Sequence, residues 1–319
     1  MLVFSCPKCL NNDLRSSLEK SGKTDSLECT SCGTNYPIIN EIPRLTDLTN
    51  YAESFGYQWN IFRKSQLDSY INKPISEVRI KDATGWSDLG AVEGNLLEAG
   101  SGAGRFTEIL SKTNANIFSF DFSNAVEANY KNNGHFPRVR IFQGDIYNIP
   151  FEDQTFDHVF CLGVIQHTPN SEEAFKKLSK KVKPGGYLYI DHYALKWHHI
   201  LQWKYLLRPL TKRMNQEKLF GIISFLAPIF IPLIKILKAI LGKKVGSRIL
   251  PIQEFSHLGL EKDINLQWAI LDTFDMLSPE HDHPRTIETI KEWFDEIDFE
   301  EVNVFYGDNG IVGRAKRPL

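Results

Sequence analysis

The run Asn95-Leu96-Leu97-Glu98-Ala99-Gly100-Ser101-Gly102-Ala103-Gly104-Arg105-Phe106 constrains this chain more than any other stretch. It reads as a short apolar strand, a glycine turn and the first turn of a helix. Alternate glycines remove Cβ atoms where a backbone has to pass close to a ligand. About 20 residues on, a second apolar strand, Ile117 to Phe120, ends on Asp121. A carboxylate at that strand tip is placed to accept hydrogen bonds from ribose hydroxyls. Together the two features predict a doubly wound α/β sheet that holds a nucleoside.

The spacing narrows the ligand. A dinucleotide fingerprint, G-x-G-x-x-G, needs glycine where Arg105 stands. The run is instead E-x-G-x-G-x-G, with Glu98 ahead of the turn; a carboxylate there suits an ammonium group better than a pyrophosphate. In this the chain resembles the first motif of the class I S-adenosylmethionine-dependent methyltransferases, of the type 11-like kind. The resemblance implies that Glu98, Gly100, Ser101, Gly102, Gly104, Asp121 and the following Phe122 surround the cofactor.

Further features in the same order extend the likeness over residues 91–193 and 284–316. The strand Val139 to Phe142 leads to Asp145 and Ile146, which the resemblance places at the adenine amino group and against the purine. The strand Phe156 to Cys161 leads to Leu162 and Gly163, which it places beside the cofactor. A helix from Ser171, stopped by Lys183-Pro184-Gly185-Gly186, precedes a fifth strand, Tyr187 to Asp191. An amphipathic helix, Arg285 to Ile297, precedes two last strands, Glu301 to Tyr306 and Ile311 to Arg314. The expected fold class is therefore α/β, a Rossmann-like doubly wound sheet of seven strands. Ser123 is the expected N-cap of the second helix.

Four of the five cysteines form two pairs, Cys6-x2-Cys9 and Cys29-x2-Cys32, nineteen residues apart. This spacing predicts one tetrahedral structural Zn²⁺ with no open position. Such a site holds a segment too small to build its own core. Two disulfides are the rival reading. With Tyr36-Pro37-Ile38 following, residues 1–48 resemble the small zinc ribbons attached to methyltransferases or acting as their partners.

Residues 49–90 read as a helical segment, and the methyltransferase resemblance implies that it folds over the cofactor. Tyr57 and Trp59 offer aromatic faces to a sulfonium, and Gln58 an amide to the amino-acid end. The competing reading makes Phe55, Trp59 and Phe62 a buried helical stripe. Residues 91–319 would then form the main domain, interrupted at 194–284 by a helical insert that supplies the substrate pocket.

That insert opens with Trp197-His198-His199 and a basic stretch, then Leu219 to Ile234 without a charge, then further lysines. The apolar run is too short to span a bilayer, and Pro228 and Pro232 should kink it. It reads either as a helical lid or as a peripheral membrane contact through 219–241. Residues 271–284, with their aspartates and histidines, read as a substrate-binding loop or as solvated loop residues. His167, His192, Tyr193 and Asp272 are the candidate general bases.

No run of 18 or more uncharged apolar residues occurs, and the N-terminus lacks a signal-peptide pattern, which predicts a cytoplasmic protein, membrane-associated if the insert touches lipid. A net charge of −2 gives no bulk attraction to nucleic acid. The expected function is methyl transfer from S-adenosylmethionine to a small molecule, sugar or lipid-linked acceptor. The alternative is an RNA methyltransferase that docks through its ribbon, as in ribbon-bearing rRNA guanine methyltransferases. It lacks support from charge and from the Leu162-Gly163-Val164-Ile165 run, where an Asn/Asp-Pro-Pro-Tyr motif would stand. A non-catalytic binding module is disfavoured by the intact glycine turn, Asp121 and Asp145.

Overall fold

The computed structural model describes residues 3–12, 14–18, 24–195 and 203–319. Trp197, His198 and His199 lie outside them.

Leu96 and Leu97 are both fully buried, as are Val159 and Phe160, so these strands are covered on both faces. Continuous apolar runs of that kind belong to parallel sheets with helices on either side. The seven strands are β5 (Asn95–Ala99), β6 (Asn116–Asp121), β7 (Val139–Gln143), β8 (Phe156–Cys161), β9 (Val182–His192), β10 (Glu300–Gly307) and β11 (Gly310–Lys316). Their order across the sheet is β10-β11-β9-β8-β5-β6-β7. The five strands from β5 to β9 are parallel, and β11 runs antiparallel to both β9 and β10. Strand alternation sends Leu97, Phe118, Val159 and Leu188 into one core, with α6 (Ser171–Lys181) and α11 (Ile287–Asp295). It sends Leu96, Ile117, Phe160 and Tyr189 into the other, with α3 (Ile75–Thr84) and α4 (Arg105–Leu110).

Side chains set the helix starts. The Asn170 side chain accepts from the Glu173 N–H at the start of α6, and Thr286 does the same for Thr289 at α11. The second helix, α5 (Val126–Asn133), begins later than the sequence predicts. Ala125, not Ser123, is its N-cap; the Ser123 hydroxyl accepts from the Ala125 N–H at 3.1 Å and donates to Asp121 at 2.7 Å.

The N-terminal ribbon is a four-stranded sheet in order β1-β2-β3-β4: Leu14–Leu18, Thr24–Cys29, Asn35–Ile39 and Ile42–Pro43. Asn40 and Glu41 join the last two with φ of 53° and 66°, the tight two-residue turn of a hairpin. The ribbon is fused to the large sheet. Arg44 pairs in parallel with Gln143 at the end of β7, and Leu45 N–H donates to Gln143 O at 2.8 Å. Phe4 packs edge-on to Phe142 at 5.0 Å between ring centres.

The insert leaves after β9 and returns where Ala194 pairs with Arg285. It contains α7 (Trp203–Thr211), α8 (Gln216–Leu241), α9 (Lys243–Gly246) and α10 (Lys262–Leu277). α8 corrects the expectation of a segment too short to span a bilayer. It runs unbroken through Pro228 and Pro232 for 26 residues, long and apolar enough to cross a membrane by length and composition. Leu219, Ile223, Ala227, Ile231 and Ile234 form its inner stripe, packed with Ala269, Ile270 and Phe274 of α10. That contact carries the helix past the backbone bonds its prolines forgo.

Candidate active site

A cavity of about 780 Å³ opens at the carboxyl ends of β5, β6 and β8, within the size range of small-ligand sites. One wall is Gly100, Ser101, Gly102, Asp121, Phe122, Ile146, Leu162 and Gly163. These are eight of the residues expected at the cofactor.

The turn is held by its neighbour strand. Gly100 and Ser101 N–H both donate to Phe120 O, at 2.8 and 2.9 Å, and Gly102 N–H donates to Asp121 Oδ2 at 2.9 Å. Gly102 has φ +52°, and a Cβ there would stand 3.2 Å from the Trp59 ring across the cavity. Asp121 Oδ1 takes Ser123, and burial raises the Asp121 pKa from its usual value. The Ser101 hydroxyl is buried on this wall without a partner among the described residues. A strand-end carboxylate, apolar plates at Phe122 and Ile146, and an unpartnered hydroxyl fit an adenosyl cofactor.

Six expected residues stand off the cavity wall. Glu98 is fully buried beneath the sheet, where its Oε2 accepts from Thr107 at 2.6 Å and Ser119 at 2.7 Å. Desolvation, set against those bonds, pushes its pKa up to about 7. Its neighbours Leu97 and Ala99 take the opposite face. Gly104 lacks a Cβ so that Asn129 and Asn133 can approach, and Asn133 donates to Gly104 O at 2.9 Å. Asp145 turns into its own loop, accepting from Tyr147 N–H and the Asn148 amide. His192 is buried against Trp293, and burial pushes its pKa down to about 4.

Helix α1 (Glu53–Ile61) has its predicted faces reassigned. Phe55 and Trp59 line the cavity rather than a buried stripe. Tyr57 and Phe62 turn to Phe220 of the insert. Gln58 is buried and donates to Asp275 Oδ1 at 2.9 Å.

The opposite wall comes from the insert and α3: Trp268, Asp272, Asp275, Met276, Phe255 and Arg79. Burial, then the neighbouring Asp275, raise Asp272 to about 7, against the pull of Arg105 and Arg79. Arg105 donates to Gln66 Oε1 at 2.6 Å, and its guanidinium lies 5.0 Å from the Phe106 ring centre. Arg79 pairs with Asp191, whose other oxygen receives Gly163 N–H. Arg79, Arg105 and Gln66 were missed from the sequence. The one available signal was the basic residue closing the glycine turn.

His167 and Tyr193 meet in the cavity, their rings 5.3 Å apart. His167 Nδ1–H donates to the carbonyl of His281 at 3.1 Å, which leaves Nε2 as the acceptor, and Nε2 has no partner among the described residues. Burial lowers the His167 pKa and keeps the ring neutral. Tyr193 is pushed far up by burial and stays protonated. The loop 280–284 contributes to this layer from behind: Asp282 pairs with Lys204 at 2.7 Å, and Lys204 lines the cavity.

In the ribbon, the Cys6, Cys9, Cys29 and Cys32 sulfurs all lie within 4.8 Å of one another. Cys6–Cys32 and Cys9–Cys29 are 3.7 and 3.5 Å apart. All four thiols are free of disulfides in the structure. A tetrahedron with Zn–S bonds of about 2.3 Å has edges of about 3.8 Å, so the four thiols fit zinc.

The family description "Methyltransferase domain" matches residues 97–190. The demethylmenaquinone methyltransferase of Staphylococcus aureus is 31% identical over 104 residues, which is 31% of this chain and 43% of that protein. The Staphylococcus haemolyticus protein of the same name is 30% identical over 99 residues, or 30% of this chain and 41% of its own. The chain thus spans less than half the length of the curated relatives it matches. Among solved structures, a SAM-dependent methyltransferase from Thermotoga maritima is 16% identical at a TM-score of 0.43, covering 84% of this chain and 98% of that one. One from Aquifex aeolicus is 12% identical at 0.42, covering 84% and 97%. The domain match lies on β5 through β9, and the strand order around it completes a Rossmann-like sheet of seven strands; residues 97–190 of this chain are a methyltransferase domain.

Proposed function

We propose that this protein transfers a methyl group from S-adenosylmethionine to a small, largely apolar acceptor, lipid-linked acceptors included. The observation that carries the reading is a cavity with two unlike walls. The glycine turn and Asp121 stand on one side; Trp268, Phe255, Met276 and the Asp272–Asp275 pair stand on the other. When bound, the cofactor supplies an electrophilic methyl on a cationic sulfur.

The chain's own work is to hold donor and acceptor in line and to exclude water. Phe55 and Trp59 close the space from above, and Gln58 steadies Asp275. His167 Nε2 is the atom placed to take a proton from an acceptor hydroxyl, with its tautomer fixed by the His281 carbonyl. The name of the staphylococcal relatives puts their methyl on demethylmenaquinone, an acceptor in keeping with these apolar walls. RNA receives no such support.

The test is calorimetry with S-adenosylhomocysteine, then radiolabelled methyl transfer into lipid extract and into total RNA. Binding followed by label in the lipid fraction supports the reading. Uptake of NAD with no affinity for the homocysteine product overturns it, and label in RNA alone overturns the acceptor class.

A further inference from the structure

α8 is apolar all round yet, among the described residues, covered on one side only. A helix of that kind belongs in a protein core or in lipid. Its inner stripe is packed on α10, and 28% of its most apolar window is buried. Its outer face carries Ile222, Phe225, Ile229, Leu233, Ile236 and Ile240, at spacings of three and four that keep one line along the helix. Phe225 is 70% exposed and Ile240 72%. α7 continues the surface with Leu206 and Leu210, exposed by 70% and 68%. Scattered exposed apolar residues are ordinary, but a continuous face of this length marks an interaction surface.

Charge says what covers it. Residues 203–250 hold ten Lys and Arg against one acidic residue, Glu217, in a chain of net charge −2. Lys212, Arg213 and Lys218 are exposed near the start of α8, and Lys235, Lys243 and Arg248 near its end. Apolar side chains between two groups of cations suit the acyl boundary and the anionic headgroups of a bilayer. A second copy of the chain would bring like charges together.

We propose that the outer face of α7 and α8 docks on an anionic phospholipid surface, with α8 lying in the plane of the interface. A spanning arrangement is opposed by the inner stripe, which is already the core of the insert. α10, against which α8 packs, presents Asp272, Asp275 and Met276 to the cavity on its other side. The docked helix is therefore one helix away from the acceptor wall. Docking of this face is independent of methyl transfer.

The test is co-sedimentation of the full chain with vesicles of phosphatidylcholine alone, or with about 30 mol% phosphatidylglycerol added. The expected result is binding to the anionic vesicles, about tenfold weaker on neutral ones and weakened by salt. A Phe225→Asp/Ile236→Asp variant should lose binding about tenfold or more while keeping its affinity for S-adenosylhomocysteine and its circular dichroism. Lys212→Glu/Lys243→Glu, which leaves the apolar face intact, should lose the preference for anionic vesicles. Failure of the wild type to bind either vesicle overturns the proposal, as does equal binding by the variants. So does a wild-type dimer that the Asp variant splits into monomers, which would assign the face to a second copy.

Discussion

The carboxylate of Asp121 accepts the backbone N–H of Gly102 at 2.9 Å, so the tip of β6 fixes the middle of the glycine turn. Asp121 thus has two tasks, holding the turn and offering its remaining lone pairs to the cavity. Asp121→Ala should weaken S-adenosylhomocysteine binding by about 1–3 kcal/mol, the range for a lost charged hydrogen bond. Gly102→Val should abolish it, since the backbone there has φ +52° and the added side chain would fill the gap to Trp59. Calorimetry reads both. Unchanged affinity in either variant removes the turn from the cofactor site.

His167→Ala should lower kcat by about 10²–10⁴-fold, the range for a lost general base, and leave cofactor affinity within about twofold. The wild-type pH profile carries a second sign. Burial lowers the His167 pKa, so the ring stays neutral and able to accept a proton below the usual imidazole range. The rate should therefore hold as pH falls through about 6.5 and drop only at lower pH. A break at about 6.5, the value of an ordinary exposed imidazole, assigns the base elsewhere, as does full activity in the alanine variant.

Glu98 makes stability depend on pH. Its pKa is pushed up to about 7 in the folded chain, above the ordinary 4.5. Between those values the folded protein keeps a proton that the unfolded chain has lost, so stability falls as pH rises through that window. Glu98→Gln cannot ionise. Relative to the variant, the wild type should lose on the order of 1–3 kcal/mol between about pH 4.5 and 8 in urea melts. A pH-independent difference would show that the carboxylate is not held neutral.

Zinc content should be one per chain, and Cys29→Ser should lose it. The effect should reach the cofactor. Arg44 donates to Gln143 Oε1 at 3.2 Å, and Gln143 Nε2 donates to the carbonyl of Phe122, a cavity residue, at 2.9 Å. Chelation should lower the melting temperature and weaken S-adenosylhomocysteine binding several-fold, measured on the same sample. Loss of metal with unchanged binding would make the ribbon an independent unit.

Strand content and strand-end positions were legible because buried parallel strands read as apolar runs and their ends carry turn residues. Side-chain direction was less so. Glu98 differs from Leu97 and Ala99 only in parity, and nothing local says which face holds the ligand. The phase of α1 was set from afar: Gln58 turns to Asp275, 217 residues along the chain. Arg79 and Arg105 reach one cavity from separate helices, which no spacing reveals. α8 was read as short because Lys235 and two prolines divide it, whereas tertiary packing keeps it whole.

The pairing of Ala194 with Arg285 brings the two ends of the insert together just past the carboxyl end of β9. A segment that departs and rejoins at a single point can be exchanged as a cassette, much as a tool is changed in a chuck. The wall that this segment lends to the cavity can therefore be altered without touching the glycine turn and Asp121 on the other side.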